Sequence, residues 1–387
     1  MKTPASKASK PETISVAHVV FSLEPGGMEN GVVNLSNGLG RDAFQTEIVC
    51  LERVGEFARR LRRDVEVCCL NKPDGASVRA ILTLANWIRK SRPDVIHTHN
   101  LGPLLYAILA RFCAFSRVPI LHGEHGMFRT EERGRKYRIM RQLLYRGCRR
   151  IHSVSVSLRA YICELGFPTG NMIAVLNGVD CNRFRPSDDK DRVRREIGLP
   201  PEGPVIGMVG RLVETKRHLL MLKAFEEIAL QNQGACLLIV GDGGDFRNAV
   251  LGAIEKHPNR ERIFRVGHQD DPLSYYQSMD LLAMPSDAEG LSNALLEAMA
   301  CGVPAVASPS CGAGEVIESG TNGVLRNMGS ADDLAEVVLE TLEDPKNLTS
   351  LGKQARETAE ESFSLEFMVE RYANLYREVV GGGSSTR

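Results

Sequence analysis

The sequence predicts an α/β protein with two domains, each a parallel sheet with helices on both faces. Short β-rich runs alternate with helical periods along the chain, which is the pattern of βαβ units. The alternation begins again in the second half, after a charged, proline-bearing stretch at 183–203 that is typical of a linker. A chain of 387 residues is also long enough for two domains of ordinary size.

Composition excludes several classes of function. Hydrophobic residues make up 43% and charged residues 25%, as in soluble globular proteins, and 48 Lys+Arg balance 48 Asp+Glu. A neutral chain does not suit a general nucleic-acid binder, whose affinity depends on excess positive charge. The ten cysteines form no CxxC or Cys/His cluster, so we expect reduced thiols in a cytoplasmic protein and no zinc site. Residues 1–13 are polar and expected to be disordered, and no apolar run reaches membrane-spanning length.

Seven β-rich runs predict the sheet of the first half. They are Ile14–Leu23, Thr46–Leu51, Val65–Leu70, Asp94–His97, Pro119–His122, Arg150–Ser157 and Met172–Leu176. The runs Ala76–Lys90 and Leu104–Phe115 between them are predicted helices. Gly26 and Gly27 lie between the first strand and the first helical period. A glycine pair there lets a ligand approach the backbone closely, and a plain turn is the alternative.

Four histidines end or follow predicted strands of this half: His97, His99, His122 and His125. The carboxyl ends of parallel strands form the ligand-binding edge of such a sheet. A lone histidine is usually structural, but four at one edge favour a functional role. His125, in the glycine-rich sequence His122–Gly126, is the candidate for contact with a substrate.

The segment Arg129–Arg150 is basic although the protein is neutral, with nine Lys or Arg against two Glu. Ile139, Met140 and Leu143 give its predicted helix an apolar side. One interpretation is a solvated helix face over the core. The other is a surface for a membrane or an anionic acceptor, with weak binding to anionic lipid as the hypothesis.

The second half repeats the alternation. Its predicted strands are Val205–Val209, Ala235–Val240, Ile263–Val266, Leu281–Met284 and Pro304–Ala307, and its last helices are Ala331–Leu342, Leu348–Ala359 and Leu365–Val380. Arg211 and Lys216 flank a loop at the carboxyl end of the first of these strands. Two cations there could hold a diphosphate. Ordinary surface charge is the alternative, but cations are unfavourable near a helix N-terminus unless an anion offsets them.

A third candidate region is the stretch Ser286–Ser308. Glu289 lies in the loop after a strand, Ser292 is a plausible N-cap, and Asn293–Ala300 is a predicted helix followed by a glycine and a proline. A helix N-terminus at a strand's carboxyl end is suited to bind an anion. Glu297 in that helix is better suited to a diol such as a ribose. The alternative is a surface loop with two ordinary glutamates.

These motifs, in this order, resemble the large family 4 of retaining glycosyltransferases with the GT-B fold. The motifs are GGxE at Gly26–Glu29, GRL with a following lysine at Gly210–Lys216, and PSDAEG with LEAMACGVPAVAS at Pro285–Ser308. The resemblance runs from about Val16 to Val380. The segments EPGGME and HGEHG are also similar to a branch associated with bacterial exopolysaccharide export.

The resemblance implies two Rossmann-like domains with parallel sheets facing an interdomain cleft. The expected acceptor-side domain is 14–182, joined by the C-terminal helix 363–380. The expected nucleotide-sugar domain is 183–362, followed by a flexible tail at 381–387.

The resemblance also implies roles for residues that hold the donor. Glu297 would bind the ribose hydroxyls, and Arg211 and Lys216 would bind the diphosphate. Val266–Gly267 would lie near the base. Gly27 would pack against the phosphate from the first domain.

Other residues would hold the transferred sugar, again by resemblance. His125 would touch it, and Glu289 with the amides of Leu291, Ser292 and Asn293 would hold sugar hydroxyls or phosphate. The sequence has EGLS where many members have EGFG, so Ser292 replaces a glycine. That change puts the sugar preference in doubt.

The expected activity is therefore transfer of a sugar from a nucleotide-diphosphate donor, commonly a UDP-sugar, to a glycan or lipid-linked acceptor with retention of configuration. No metal is expected, because no DxD motif lies beside a plausible catalytic loop. A cytoplasmic location is expected, with Arg129–Arg150 as the candidate contact with the inner membrane face. An epimerase acting on a UDP-sugar and a non-catalytic nucleotide-sugar-binding protein are the alternatives.

Overall fold

A computed structural model describes residues 13–382 of the protein, except 129–131, 133, 168, 288 and 310. The described chain divides into two compact units. Unit 1 holds the residues up to Val154, then Arg159–Val175 and those from Met368 onward, and unit 2 holds Ser155–Leu158 and Leu176–Phe367. Each unit has its own parallel sheet with helices, so the predicted α/β class is confirmed. The predicted tails at 1–13 and 381–387 lie almost wholly outside the described residues.

Among its described residues, unit 1 has a sheet of seven parallel strands in the order β3-β2-β1-β4-β5-β6-β7. They are β1 (Ile14–Val20), β2 (Phe44–Cys50), β3 (Glu66–Cys69), β4 (Val95–His99), β5 (Ile120–Glu124), β6 (Arg150–Ser153) and β7 (Met172–Ala174). The central strands are apolar runs buried on both faces, as is typical of parallel sheets. The strand order reverses between β1 and β4, so the loops after these two strands flank a crevice suited to a ligand.

The helices of unit 1 cover both faces of this sheet. They are α1 (Gly27–Gly38), α2 (Val78–Ser91), α3 (Leu101–Cys113), α4 (Arg135–Tyr145) and α5 (Val156–Glu164). Because α3 packs against both α2 and α4, these three helices form one layer. The connections β3–β4, β4–β5 and β5–β6, which contain these helices, all run in the same direction across the sheet. Because such connections are right-handed, they place their helices on the same face. The β1–β2 connection runs the other way and places α1 on the opposite face.

Among its described residues, unit 2 has six parallel strands in the order β10-β9-β8-β11-β12-β13. They are β8 (Val205–Val209), β9 (Cys236–Val240), β10 (Ile263–Gly267), β11 (Leu281–Met284), β12 (Ala305–Ala307) and β13 (Val324–Leu325). The helices are α6 (Lys190–Glu196), α7 (His218–Gln231), α8 (Arg247–Glu255), α9 (Leu273–Ser278), α10 (Asn293–Ala300), α11 (Ala331–Glu343) and α12 (Pro345–Ser362). The order reverses between β8 and β11, which places the ligand-binding crevice of this sheet between the loops that follow them.

The predicted linker at 183–203 is wrong in part, because it contains α6. The side chain of Asp189 caps this helix by accepting a hydrogen bond from the amide of Arg192. Arg194 is buried and donates to the carbonyl of Ser278 at 2.9 Å and to the carboxylate of Asp280. Residues 176–182, expected in the first domain, also belong to unit 2, since Val179 is part of its core and pairs through its backbone with Phe363.

The last helix, α13 (Leu365–Gly381), lies in unit 1 from Met368 onward. It packs against α1, because a Cβ on Gly38 would lie only 2.4 Å from Val369. The helix of the basic segment is shorter than expected, since α4 begins at Arg135 and four residues of 129–133 lie outside the described part. Within the described residues, no helix has the length and apolar character that a membrane crossing requires.

Candidate functional site

Two loops of unit 2 meet through an ion pair at the point where its strand order reverses. Lys216 ends the short 3-10 turn after β8, and Glu289 lies in the loop after β11. The ammonium group of Lys216 pairs with a carboxylate oxygen of Glu289, and both side chains are largely buried. The amide of Asp287 also donates to the carbonyl of Thr215 at 3.0 Å. The structure therefore brings two of the predicted site residues into direct contact.

Glycines allow the neighbouring loops to approach this pair. Gly241, after β9, has φ = 129°, and a Cβ there would lie 2.1 Å from the carbonyl oxygen of Gly210. A Cβ on Gly210 would lie 3.2 Å from Cε of Lys216, so the lysine stem passes directly over this backbone. Only glycine fits this close, positive-φ geometry at Gly241 without strain. The backbone at this edge of the sheet therefore lies directly against the Lys216 side chain.

Arg211 follows β8 and has an exposed side chain. Among the residues that the structure describes, its guanidinium forms no ion pair or hydrogen bond. Arg217, its neighbour in the same loop, is instead held by the carbonyl of Met328 at 2.8 Å and by Asp287 at 3.3 Å. Arg211 is therefore the cation of this loop that remains available to an anionic ligand, whereas Arg217 stabilises the fold.

Helix α10 begins at Asn293, as predicted, with Ser292 in the N-cap position. The Ser292 side chain makes no capping hydrogen bond, so that part of the N-cap prediction is wrong. The loop before the helix is fixed by Asn177, whose side-chain amide donates to the carbonyl of Leu291 at 2.9 Å. The loop also passes close to Gly312, where a Cβ would lie 2.6 Å from the carbonyl of Gly290. The N-terminus of α10 is thus held beside Glu289 without a side-chain cap.

Glu297 lies on α10, one turn inside the helix. The hydroxyl of Tyr276 donates to its Oε2 at 2.7 Å, and Tyr276 itself is fully buried. Burial and the adjacent Glu297 charge raise the pKa of Tyr276 well above its usual value, so the tyrosine stays protonated and donates. This hydrogen bond fixes the carboxylate, and a fixed carboxylate suits binding of a diol.

Val266 and Gly267 end β10, on the same edge of the sheet. The carbonyl of Gly267 accepts from the amide of Gly241 at 2.7 Å, and Gly267 has φ = 70°. The nearby Asp242 accepts from Arg247 and Arg265, each at 2.6 Å. Hydrogen bonds from Arg247 and the Gly243 amide lower the pKa of Asp242 to about 2, so this carboxylate remains charged and holds the loop together.

In unit 1, Gly27 is the first residue of α1 and follows β1 at the reversal point of that sheet. The carboxylate of Glu29 lies against Gly26, where a Cβ would be 2.2 Å from Oε2 of Glu29. The loop after β4, on the other side of the crevice, contains Asn100 with φ = 67°. Gly27 thus lies where a ligand of this sheet would be expected.

His125 follows β5 and is one end of a line of three imidazoles. Its Nε2 lies 2.9 Å from Nδ1 of His99, and Nε2 of His99 lies 2.9 Å from Nδ1 of His18. Gly123 makes room for the rings, because a Cβ there would lie 2.5 Å from Nε2 of His152 and 2.8 Å from Nε2 of His125. The structure confirms that His99 and His125 lie together, and adds His18, which the sequence did not suggest.

His97 belongs to a second hydrogen-bonded group and is fully buried. Its Nδ1 lies 2.8 Å from the hydroxyl of Tyr376, and its Nε2 lies 2.8 Å from Nε2 of His152. Nδ1 of His152 lies 3.3 Å from the hydroxyl of Tyr372. If Tyr376 donates, every member of this group has a partner with all rings neutral. The prediction that His97 lies at the ligand edge is wrong, because it packs under α13.

Nitrogens of His18, His97 and His99 lie within 4.8 Å of one another, close enough to hold a metal ion. The hydrogen bonds argue against one. Nδ1 of His97 is hydrogen-bonded to Tyr376 and its Nε2 to His152, and both nitrogens of His99 contact other rings. A metal would have to displace these bonds, since Nε2 of His18 is the one nitrogen of these three rings without a hydrogen-bond partner among the described residues.

His122 faces the other side of the sheet, so its predicted place at the ligand edge is wrong. It lies 3.3 Å from Glu124, which also accepts from Arg141 at 3.0 Å and from Tyr145 at 2.6 Å. Burial favours a higher pKa for Glu124, but the hydrogen bond from His122 and the charge of Arg141 outweigh it and lower the pKa to about 2. Arg141, counted in the basic segment, is thus a buried partner of Glu124 and not a surface cation.

The candidate site residues therefore fall into two sets. Lys216, Glu289 and the start of α10 come together in unit 2, and Arg211, Glu297 and Val266–Gly267 lie on the same sheet edge. The other set, in unit 1, is Gly27 and His125. The sequence analysis did not identify Tyr276, Asn177 or His18, because nothing in the local sequence indicates partners that lie 21 to 114 residues away.

Both halves of the chain match known protein families. The model described as "Glycosyltransferase Family 4" matches residues 25–183, and that described as "Glycosyl transferases group 1" matches residues 189–358. The N-acetyl-alpha-D-glucosaminyl L-malate synthase of Bacillus anthracis is 28% identical over 77% of this chain and 78% of its own. An Escherichia coli UDP-Gal:alpha-D-GlcNAc-diphosphoundecaprenol alpha-1,3-galactosyltransferase is 24% identical over 95% and 97%.

Among solved structures, that of Anabaena HepE in complex with UDP and glucose superposes with a TM-score of 0.82. It covers 94% of this chain and 99% of its own, at 21% identity, and so supports the fold. With two parallel-sheet α/β units, matches over both halves and this structural likeness, the chain is a member of the family 4 glycosyltransferases and has the GT-B fold.

Proposed function

We propose that this glycosyltransferase moves a hexose from a UDP-sugar to a glycan or lipid-linked acceptor, with retention of configuration, in bacterial polysaccharide or glycolipid synthesis. The observation that carries the proposal is the ion pair between Lys216 and Glu289 at the reversal point of the unit 2 sheet. The exposed cation Arg211 and the N-terminus of α10 lie on the same edge.

The leaving group of such a reaction is a nucleoside diphosphate, whose negative charge grows as the glycosidic bond breaks. Lys216 and Arg211 would stabilise that charge, as would the dipole of α10. Glu289 holds the Lys216 ammonium in place before the donor binds. A cation already in position loses little free energy to reorganisation when charge develops, which is the condition for efficient stabilisation.

The remaining roles are those that the resemblance to family 4 implies. Glu297, fixed by Tyr276, would accept hydrogen bonds from the ribose hydroxyls, and Val266–Gly267 would border the base. His125 would contact the transferred sugar, and Gly27 would allow the donor phosphates to approach α1. UDP as the nucleotide is supported by the names of the E. coli relative and of the Anabaena complex.

Catalysis is proposed to need no metal ion, because side-chain cations and a helix N-terminus supply the positive charge that a metal would otherwise provide. Retention is proposed to proceed by attack on the face from which the phosphate leaves, with that phosphate taking the proton of the acceptor. Full loss of activity in EDTA with rescue by Mn²⁺ would contradict the first proposal. An inverted anomeric signal in the product would contradict the second.

A lipid-linked acceptor implies contact with a membrane, and one surface of unit 1 is suited to that contact. The helices α2, α3 and α4, which form one layer, contain no Asp or Glu. Several of their apolar side chains are exposed, among them Phe112 at 79% and Leu143 at 59%. The others are Val78, Leu82, Leu109, Tyr137 and Ile139, and Phe115 just beyond α3. Exposed apolar groups among cations favour an anionic membrane surface.

The experiment that tests the proposal is UDP release from a panel of UDP- and GDP-sugars, with and without lipid-linked glycan acceptors. Release of UDP that depends on an acceptor, with a new glycoside in the product, is expected. Release of UDP and free sugar isomer without acceptor would instead favour an epimerase. Donor binding in a thermal-shift assay with no turnover on any acceptor would favour a non-catalytic binding protein.

A further inference from the structure

The line of imidazoles behind His125 has only two possible arrangements of its protons. His125 Nε2 meets His99 Nδ1, and His99 Nε2 meets His18 Nδ1, both at 2.9 Å. The line ends at Nε2 of His18, which is enclosed and has no hydrogen-bond partner in the described part of the chain. At the other end of the line, Nδ1 of His125 has no hydrogen-bond partner among the described residues. Unlike Nε2 of His18, this nitrogen is not among the buried side-chain atoms that lack a partner.

All three rings are neutral at physiological pH. Burial lowers the pKa of His18 to about 3 and that of His125 to about 4. Burial, with the neighbouring histidines, lowers the pKa of His99 well below its usual value. A neutral imidazole has one N–H and one bare nitrogen, so each ring donates on one side and accepts on the other. The tautomer of one ring therefore fixes the tautomers of the other two.

The buried end of the line decides between the two arrangements. In one, His125 donates to His99, His99 donates to His18, and the Nε2 of His18 carries a buried N–H with no acceptor. In the other, His18 donates to His99, His99 donates to His125, and the orphan atom is a bare nitrogen. Orphaned buried N–H groups are rarer and less favourable than under-used acceptors. The second arrangement is therefore the stable one.

We propose that His99, set by His18, holds His125 in the tautomer that carries its proton on Nδ1. His125 then offers a hydrogen-bond donor to an oxygen of the transferred sugar, and it cannot act as a base through that atom. This inference rests on the proposed function for the identity of the ligand, but the tautomer is a property of the protein alone. His99 and His18 are positioning residues, because they act only through His125.

The first test is NMR of protein labelled with ¹⁵N in its histidine side chains, with His125 identified by the signals lost in His125→Gln. We expect Nδ1 of His125 to be protonated and Nε2 to be bare. Scalar couplings across the two N–H···N bonds should join His125 to His99 and His99 to His18. A proton on Nε2 of His125 would overturn the proposal, as would zinc found in stoichiometric amount on these rings. No arm of this test depends on enzyme activity.

The second test compares His99→Asn with His99→Leu. The amide nitrogen of Asn can occupy the place of Nδ1 and still donate to His125, whereas Leu has a similar volume and no donor. We expect His99→Leu to lower kcat roughly tenfold or more and His99→Asn to retain most of it. Binding of UDP, measured by calorimetry, should be unchanged in both. Equal loss of kcat in two equally stable variants would contradict the positioning role of His99. If wild-type protein turns over no donor, the proposed function fails while the NMR result still stands.

Discussion

The ammonium group of Lys216 and the carboxylate of Glu289 form an ion pair that joins the loops after β8 and β11. Replacement of Lys216 by alanine removes the positioned cation from the leaving group. We therefore expect Lys216→Ala to lower kcat by roughly two orders of magnitude, by analogy with loss of an oxyanion-stabilising donor. Donor turnover is the measurement. Lys223→Ala, an exposed lysine on α7, is the matched control and should be indistinguishable from wild type.

Glu297→Gln tests binding of the ribose. The amide oxygen still accepts from Tyr276, so α10 should remain intact, but the charge that strengthens hydrogen bonds to a diol is lost. We expect the Kd for UDP to rise by about tenfold or more, equivalent to about 1.5 kcal/mol, with the melting temperature nearly unchanged. Calorimetric titration measures this. An unaltered Kd would show that Glu297 does not contact the nucleotide.

Gly123→Ala tests the packing of the buried histidines. The added methyl group would lie 2.5 Å from His152 and 2.8 Å from His125, so both rings would have to move. We expect a loss of about 1–3 kcal/mol in the free energy of unfolding of unit 1, as for other overpacked cores. Gly126→Ala is the control, since a Cβ there meets no atom of the described residues within 4 Å. Similar denaturation curves for the two variants would refute the tight packing.

Unit 1 should be sensitive to acid. His18, with a pKa of about 3, and His125, with a pKa of about 4, bind fewer protons when folded than when unfolded, as do His97, His99 and His152. Their contribution to stability is therefore complete above about pH 6.5 and is lost as the pH falls toward 4. For five rings the limiting slope is about 7 kcal/mol per pH unit. Melting temperatures measured across this pH range should follow the loss of stability. A melting temperature that does not change between pH 7 and 5 would contradict the burial of these rings in the neutral form.

The surface of α2, α3 and α4 predicts binding to anionic vesicles. We expect cosedimentation with vesicles that contain anionic lipid at low salt, and little with zwitterionic vesicles or at high salt. The double variant Ile139→Glu, Leu143→Glu should bind less, because both side chains are exposed on α4. Leu230→Glu changes an exposed leucine on α7 and is the control. Equal vesicle binding by the double variant and the control would show that this surface does not bind the membrane.

The elements that the sequence predicted well are those whose signal is local. Val205–Val209 and Leu281–Met284 are apolar runs bounded by turns, and the structure gives them the same bounds. The same holds for α10 at Asn293–Ala300, where an extended residue precedes good helix formers and Gly302 adopts φ = 73° after the end. The bounds of these elements depend on a few adjacent residues, so they can be predicted without knowledge of tertiary contacts.

The features that the sequence missed depend on partners far away in the chain. The local sequence of helix α6 predicts a linker, because the helix is stabilised by the contact of Arg194 with Asp280, 86 residues further along the chain. The sheet face on which each histidine lies depends on two things. Side chains point to alternate faces along β4 and β5, and the register pairs Thr98 with His122. His97 and His99 share a face because they are two residues apart, and His122 lies on the other face with Glu124. That alternation was available in the sequence and could have separated His122 from the ligand edge.

The hydrogen bonds of Tyr372 and Tyr376 to His152 and His97 have a consequence for biosynthesis. The first seven strands leave the ribosome long before these tyrosines, because most of unit 2 lies between β7 and α13 in the chain. Until α13 emerges, two imidazoles of the nascent N-terminal half lack the hydroxyl groups that satisfy them in the finished fold. We therefore expect a fragment ending at Val175 to be insoluble or protease-sensitive when expressed alone. Maturation of the N-terminal half would then wait for synthesis of α13, whereas the described core of unit 2 contains no residue beyond Phe367.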